Sequence, residues 1–260
     1  MKYIDQTSLP LPPRKKQALD RRIVAVNAIP LASDKTAYIK NTNTWGLLKS
    51  WLSEFSSGKC WYCETRSIRA VSDVDHFRPK AGVTSFRKNL SGHLGYYWLA
   101  YDWKNFRFSC QRCNRPEEDE SKTLRGKHNE FALCDEGNRN LTPQCARNEE
   151  PLLLDPCVES DTKLFAHLEG GLVAPSSQDG TLEYQRAEYT RDVLGLNSFG
   201  MPGRKREAWQ PLKLLIELQP DDPKVRKLVE SKLDGSVEYS SYFRSVIGSY
   251  REIDWVEALL

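Results

Sequence analysis

The residues best suited to chemistry lie in two cysteine pairs and in the acidic segment between them. Cys60-Trp61-Tyr62-Cys63 and Cys110-Gln111-Arg112-Cys113 are CxxC units, and two such units can supply the four ligands of a closed tetrahedral zinc site. Between them runs Asp73-Val74-Asp75-His76, and Asn114 directly follows the second pair. A carboxylate, an imidazole and an amide in one metal-braced segment are the groups needed to hydrolyse a phosphodiester.

Cysteine content favours a metal over disulfides. The chain has seven cysteines, an odd number, in 260 residues, and it shows no secretory signal, so a disulfide framework is a poor explanation. The alternative is four reduced cysteines that pack as small apolar side chains. Because paired CxxC units are a specific signal, we predict that the four paired cysteines bind a structural Zn²⁺. The cysteines without such spacing, expected to be ordinary thiols, are Cys134, Cys145 and Cys157.

The segment between the cysteine pairs predicts a short strand. It runs from Val71 to Phe77 and ends at Arg78-Pro79, which leaves Asp75 and His76 near the strand's end. A neutral imidazole can take a proton from water near neutral pH, and an adjacent carboxylate suits a hard cation such as Mg²⁺. An isolated Asp-His pair is weak evidence of a catalytic site, but the position of this pair between two CxxC units strengthens that interpretation.

The most aromatic stretch, Gly95 to Trp103, allows two interpretations. Aromatic faces can stack unpaired bases, but large aromatic side chains also dominate protein cores, and we favour the core. After it, Phe106-Arg107-Phe108 predicts a second strand that leads into Cys110. Asn105 precedes this strand and is expected to hold the connecting loop by side-chain hydrogen bonds.

The segment after Asn114 carries charges of both signs. Its acidic run, Glu117 to Glu120, would repel nucleic acid, so we expect a solvated loop there. For each basic side chain around the site, a solvated surface charge is the default interpretation. The basic side chains that we predict to contact nucleic acid are Arg78, Lys80, Lys122 and Lys127.

Four ordered motifs resemble a known family. CWYCE, DVDHFRPK, YWLAYDWKNFRFSCQRCN and EEPLLLDP, between about Trp51 and Leu196, look like those of HNH endonucleases of the Septu PtuB and retron-associated type. The resemblance implies a ββα-metal (HNH) nuclease core braced by the four-cysteine zinc site. We therefore predict an α+β fold with helical N- and C-terminal additions to that core.

The same resemblance implies roles for individual residues. His76 would be the general base that deprotonates a water in line with the scissile bond. Asp75 and Asn114 would bind one catalytic cation, Mg²⁺ or Mn²⁺, which neutralises a phosphate oxygen and the departing 3′ oxygen. Asn105 would be the middle Asn of the motif, which holds the loop.

One departure from the family pattern concerns the segment after Asn114. Relatives commonly place a Lys-Gly pair shortly after this Asn, whereas an acidic insertion here moves Gly126-Lys127 further along. Either Asn114 still opens the metal-bearing helix, or His128 or Asn129 takes part of its role. We predict that Asn114 keeps the role.

Composition divides the chain into three predicted regions. Residues 1–44 form an N-terminal arm, which is rich in Pro and Lys/Arg through Arg22 and expected to be loosely ordered there. Residues 45–198 form the HNH nuclease domain, with the zinc site and a family-specific extension. Residues 199–260 form a C-terminal helical region.

The sequence of the C-terminal region predicts helices and offers few candidate functional residues. Gly200 to Gly203 is predicted to be a linker. Three helical stretches follow it, and the second begins near Asp221-Asp222-Pro223, where Asp caps and Pro suits the first turn. In the last stretch, apolar residues from Tyr239 to Tyr250 recur at helical spacing. Covering the protein's own core is the favoured role of this face, and docking a partner is the alternative.

Charge and hydropathy limit the classes of function. The formal net charge is only +3, so any nucleic-acid surface must be local. A mean hydropathy of −0.61 and the absence of a long apolar run predict a cytoplasmic protein without a membrane span. No GxxxxGK[ST] motif occurs, so any nucleotide hydrolysis would belong to another chain. The resemblance implies a partner ATPase in prokaryotic anti-phage defence.

The predicted activity is hydrolysis of nucleic acid, with DNA as the favoured substrate. One alternative is an RNA-directed nuclease that cleaves tRNA. Another is a zinc-braced nucleic-acid-binding or adaptor protein whose HNH site is inactive. The intact trio of Asp75, His76 and Asn114 argues against a pure binder, because binding alone does not need these three groups together.

Overall fold

The computed structural model of the protein describes residues 1–67 and 70–260. Among these residues, no helix combines the length and the apolar character needed to cross a bilayer. The α-helices are α1 (Pro13–Ala28), α2 (Ala32–Lys40), α3 (Lys49–Glu54), α4 (Gln111–Asn114), α5 (Glu159–Thr162), α6 (Leu182–Leu194), α7 (Met201–Leu218), α8 (Pro223–Leu233), α9 (Ser240–Ile247) and α10 (Asp254–Glu257).

The strands are short and pair in twos. They are β1 (Asp73–His76), β2 (Thr84–Ser85), β3 (Lys88–Asn89), β4 (Phe106–Ser109), β5 (Glu117–Glu118), β6 (Leu124–Arg125), β7 (Phe165–His167) and β8 (Val173–Pro175). Within the described residues they form the antiparallel pairs β1–β4, β2–β3, β5–β6 and β7–β8. This mixture of helices and small sheets confirms the predicted α+β class.

The pair β1–β4 positions the predicted site residues. Both strands lie where the sequence predicted them, and Asp75 lies opposite Arg107 in their register. Because side chains alternate between the two faces of a strand, Asp73 and Asp75 share one face and His76 lies on the other. The carboxylates and the imidazole of this motif therefore have different surroundings.

Among the described residues, three apolar clusters form the core. The first surrounds the four paired cysteines and includes Phe77, Phe131 and Leu153. The second lies between the N-terminal helices and the β1–β4 pair. The third belongs to helices α7 to α10, and the apolar face that starts at Tyr239 is buried in it, as the sequence predicted. The aromatic stretch is also core, because Tyr96 and Tyr101 are buried.

The expectation of a loosely ordered N-terminus is wrong. Helix α1 begins at Pro13, a residue suited to the first turn of a helix. Its side chains Leu19 and Val26 are buried in the second cluster together with Ile4, and the Ile4 N–H donates to the Pro156 carbonyl at 2.9 Å. Burial of these side chains outweighs the polar composition around them.

The predicted linker is also wrong. Helix α7 begins at Met201, directly after Gly200 in the left-handed conformation (φ 68°), and Pro202 fits a first helical turn. The glycine and proline that suggested a linker therefore start a helix. By contrast, the predicted start of α8 is confirmed, since its first residue is Pro223 and the Asp222 side chain caps it.

Candidate functional site

The four paired cysteines come together as predicted. Their Sγ atoms all lie within 4.8 Å of one another, and all four residues are buried. The Sγ atoms of Cys63 and Cys110 are 3.7 Å apart. A tetrahedral site with Zn–S bonds of ~2.3 Å requires sulfurs separated by about 3.8 Å. The cluster therefore fits a structural metal such as zinc. The unclustered cysteines, all free thiols, are Cys134, Cys145 and Cys157.

Charged residues that flank the first cysteine pair bind the C-terminal region. Lys59 and Glu64 are both buried. The Lys59 ammonium donates to the carbonyl oxygens of Gly235 and Val237 at 2.7 and 2.8 Å. The Glu64 carboxylate accepts from the Ser240 hydroxyl at 2.9 Å. The C-terminal helices are thus tied to the metal-binding loop, a contact that the sequence did not predict.

His76 is buried with one ring nitrogen engaged. Its Nε2 lies 2.9 Å from the main-chain oxygen of Ala100, and because a carbonyl can only accept, Nε2 carries the proton. Its Nδ1 is buried and has no hydrogen-bond partner among the described residues. Trp45 and Phe106 pack against the ring, with centroids 4.9 and 5.0 Å away.

The surroundings of His76 keep it neutral. Burial lowers the pKa of His76 well below its usual value, and the nearby ammonium groups of Lys80 and Lys127 lower it further. The hydrogen bond to Ala100 opposes this shift. The imidazole therefore holds a lone pair on Nδ1 at neutral pH, which is the state that a general base requires.

This lowered pKa predicts acid sensitivity. The unfolded state binds a proton at His76 below pH ~6.5, whereas the folded state does not until a much lower pH, so stability falls as the pH drops below ~6.5. For one histidine the loss is at most about 1.4 kcal/mol per pH unit. Chemical denaturation at pH 7 and pH 5 should therefore show that His76→Gln loses less unfolding free energy than the wild type. An equal loss in both proteins would contradict the prediction.

The Asp75 carboxylate is held by two donors inside the protein. Its Oδ2 accepts from the Tyr62 hydroxyl at 2.7 Å, and its Oδ1 accepts from the Lys127 ammonium at 3.0 Å. The same ammonium donates to the main-chain oxygen of His76 at 2.6 Å. Lys127 is fully buried, so the predicted phosphate contact of Lys127 is wrong. A buried cation requires partners, and Asp75 is that partner.

Asn114 ends a helix instead of opening one. It is the last residue of α4, a single turn, and Arg115 after it is extended, because a residue that precedes a proline disfavours the helical conformation. The Asn114 side chain donates to Asp73 Oδ2 at 3.0 Å. Arg115 also pairs with Asp73, through two hydrogen bonds of 2.8 Å. The amide therefore reaches Asp73 and not Asp75.

These contacts decide whether Asp75 and Asn114 fit a shared divalent cation. Both oxygens of Asp75 accept from protein donors, and the Asn114 amide is directed to another carboxylate. A hard cation prefers several converging oxygen ligands. The predicted pair does not fit such an ion in this arrangement, because Lys127 already neutralises Asp75.

The acidic insertion forms a hairpin of its own, in which β5 pairs with β6. After the hairpin the chain returns to the segment that precedes it. There the Lys127 N–H donates to the Cys113 carbonyl at 2.8 Å, and the His128 N–H donates to the Asn114 carbonyl at 2.7 Å. Gly126 permits this return, since its φ is +86° and a Cβ there would lie 1.9 Å from the Arg115 oxygen. Lys127 and His128 therefore pair with Cys113 and Asn114 despite the insertion.

One sequence expectation changes at this insertion. Asp119, in the run expected to be a solvated loop, is buried and accepts from Arg125 at 2.7 Å and from Ser198 at 2.8 Å. His128 is exposed, whereas the Asn129 amide donates to the Ala81 carbonyl. The Asn129 side chain thus fastens a loop in this arrangement.

Asn105 bridges the loops on either side of the β1–β4 pair. Its Oδ1 accepts from the Arg78 N–H at 2.8 Å, and its Nδ2 donates to the Arg78 carbonyl at 2.9 Å. The same Nδ2 lies 3.3 Å from the Leu99 carbonyl. This side chain therefore fixes the chain directly after His76, which is the geometry that the loop-holding role requires.

The remaining predicted phosphate contacts differ in availability. Arg78 is paired with Glu149 at 2.8 Å. Lys122 is exposed on the insertion. Lys80 is half-buried, its ammonium lies 4.7 Å from the Trp45 ring centroid, and it has no carboxylate within salt-bridge distance among the described residues. Lys80 is thus the cation best placed beside His76.

Comparison with known proteins identifies relatives. No protein-family model matches the chain. Septu protein PtuB of Bacillus mycoides (strain KBAB4) is 32% identical over 154 residues, which cover 55% of the chain and 48% of PtuB. Over that part of its length the chain is similar to Septu protein PtuB. Septu protein PtuA of the same strain is 28% identical over 152 residues, which cover 58% of the chain and 19% of PtuA. The match thus spans about half of PtuB and a fifth of PtuA.

The site contains residues that the sequence did not single out. Trp45 covers the His76 ring, Tyr62 binds Asp75, and Asp73 binds Asn114. The sequence could have indicated Asp73 as a site residue, because it precedes Asp75 by two residues and so shares its strand face. No local pattern indicates Trp45 or Tyr62, since only the fold brings them to the site.

Proposed function

We propose that the chain is an HNH-type endonuclease that hydrolyses phosphodiester bonds of nucleic acid, with DNA as the favoured substrate. The observation that carries the proposal is the state of His76, a buried neutral imidazole with a free Nδ1 lone pair. It lies on a strand pair that ends at a four-cysteine cluster. A surface histidine of a binding protein has no need of this arrangement.

His76 acts in this proposal as the general base. The Nε2–H bond to Ala100 fixes the ring and its tautomer, and Nδ1 takes a proton from the attacking water. A positioned base of this kind contributes ~10²- to 10⁴-fold to the rate. Asn105 fixes the loop after His76, and Trp45 packs against the His76 ring.

Lys80 and the structural metal complete the proposed site. The Lys80 ammonium lies beside the base and stabilises the negative charge that develops on the phosphoryl oxygens. Zn²⁺ bound to Cys60, Cys63, Cys110 and Cys113 braces the strand pair. No step is assigned to a second cation, because Asp75 and Asn114 do not offer it converging oxygens.

Similarity to PtuB and PtuA supports a place in Septu anti-phage defence. The family resemblance further implies a partner ATPase, and this chain contains no P-loop motif of its own. We therefore propose that the chain supplies the nuclease of a two-component system. The partner supplies nucleotide hydrolysis.

The test is cleavage of supercoiled plasmid and of total tRNA in Mg²⁺ or Mn²⁺ by the wild type and by His76→Ala. The wild type should cleave, with plasmid as the favoured substrate, and His76→Ala should be at least ~10²-fold slower. His93→Ala is the matched control, because His93 also has a ring nitrogen near a main-chain oxygen but lies outside the strand pair. It should cleave like the wild type.

Three results would change the proposal. Preferential tRNA cleavage would establish an RNA-directed nuclease. Unchanged cleavage by folded His76→Ala would exclude this histidine as the base. If the wild type cleaves neither substrate, alone or with a neighbouring ATPase where one is encoded, the chain is a binding or adaptor protein.

A further inference from the structure

Lys205 of helix α7 is a buried cation without an ion pair. The residue is only 4% exposed, and among the described residues no carboxylate lies at salt-bridge distance from its ammonium. The carboxylate nearby, Glu64, is already paired with the Met1 amino group at 3.0 Å and with Lys59 at 3.8 Å. Because a buried charge requires compensation, Lys205 needs a different negative group.

The first turns of α7 place Lys205 against the first cysteine pair. The Thr65 hydroxyl lies 3.4 Å from Cys63 Sγ and 3.6 Å from the Met201 sulfur. Lys205 follows Met201 by four residues and so lies on the same face of the helix. Together with Cys63 and Glu64 it lines a cavity of about 10 Å³, which has room for about one water molecule.

The surroundings of this cavity make charge interactions strong. Burial lowers the pKa of Lys205 to about 8, whereas Cys63 and Glu64 act in the opposite direction. The Lys205 ammonium also lies 6.0 Å from the centroid of the Tyr242 ring. With so little water between the groups, a negative charge on the cysteine cluster would attract the ammonium much more strongly than it would at the surface.

Zinc gives the cysteine cluster such a charge. Each cysteine that binds the metal does so as a thiolate, so four of them leave the loaded cluster with a net negative charge. Four protonated thiols carry none. The loaded cluster therefore supplies the counter-charge that the buried ammonium lacks.

We propose that the Lys205 ammonium is the counter-charge of the zinc-loaded cysteine cluster and stabilises the bound metal. Lys205 is then a positioning residue, which acts on the metal through the thiolates and links α7 to the metal-binding loop. The inference goes beyond the proposed nuclease function and does not rest on it. It gives the C-terminal region a part in holding the metal.

Competition with a chelator of known zinc affinity tests the proposal on the full chain. Lys205→Met removes the charge and keeps a side chain of similar length, so it should bind zinc at least ~10-fold more weakly than the wild type, a difference of ~1.4 kcal/mol. Lys205→Arg keeps the charge and should restore most of the affinity. The matched control is Arg206→Met, which removes a positive charge from the adjacent, exposed position and should bind zinc like the wild type.

Two results would overturn the proposal. One is equal zinc affinity in folded Lys205→Met and the wild type. The other is an equal loss in Lys205→Met and Lys205→Arg, because packing and not charge would then be responsible. If Lys205→Met does not fold, Lys205→Gln takes its place with the same expectation, since it keeps a polar end without the charge. Cleavage is not measured, so an inactive nuclease would leave these readouts unchanged.

Discussion

Replacing Cys60 with serine is expected to release the structural metal and to lower the midpoint of thermal unfolding by about 10 °C or more. Structural zinc contributes ~10–16 kcal/mol in finger peptides, and a third of that would suffice, because each kcal/mol shifts the midpoint of a protein of this size by ~2–4 °C. The four cysteines lie inside the first apolar cluster, so their separation would also disturb its packing. Elemental analysis and a thermal scan measure the two effects.

The matched control is Cys145→Ser. Cys145 is a free thiol outside the four-cysteine cluster, so its replacement should change neither the metal content nor the midpoint. If Cys60→Ser kept one zinc per chain and the wild-type midpoint, the four cysteines would not form the structural metal site.

Replacing Arg107 with methionine should cost about 3–5 kcal/mol of unfolding free energy, because removal of one partner leaves the other buried charge uncompensated. Arg107 donates to both oxygens of Asp155 at 2.7 and 2.5 Å. Their side chains are only 5% and 11% exposed. Asp155 belongs to the EEPLLLDP motif and Arg107 to β4, so this ion pair joins two of the family motifs. Urea denaturation of the zinc-loaded proteins measures the cost.

Arg115→Met provides the comparison. Arg115 also makes two hydrogen bonds to an aspartate, Asp73, but its side chain is 57% exposed. Water screens such a pair, and its loss should cost ~0–1 kcal/mol. Equal costs for the two substitutions would show that burial of the Arg107 pair does not determine its contribution.

Local chemistry explains what the sequence predicted. The two CxxC units specify a metal cluster by their spacing, and the alternating strand residues specify the pairing that brings Asp75 and His76 to one element. The start of α8 follows from Asp222 and Pro223 alone. In each case the signal lies within a few consecutive residues.

Long-range contacts explain what the sequence did not predict. The residues next to Lys127 in the sequence do not indicate that its side chain is buried. Its partner Asp75 lies 52 residues earlier, and the two meet because the chain returns to β1 after the acidic hairpin. Similarly, Asp119 is buried because Arg125 and Ser198 meet it there. Such positions depend on tertiary pairing, and composition alone assigns charged residues to the surface.

The contact between the metal-binding loop and the C-terminal helices has a consequence for biosynthesis. Glu64 precedes its partner Ser240 by 176 residues, and at ~5–20 residues per second a ribosome needs roughly 10–35 s to cover that distance. During this interval Lys59 and Glu64 lack the acceptors and donors that Gly235, Val237 and Ser240 later supply. The nascent chain can therefore acquire its zinc while the loop is still open to solvent, and the last helices then close over a loaded site.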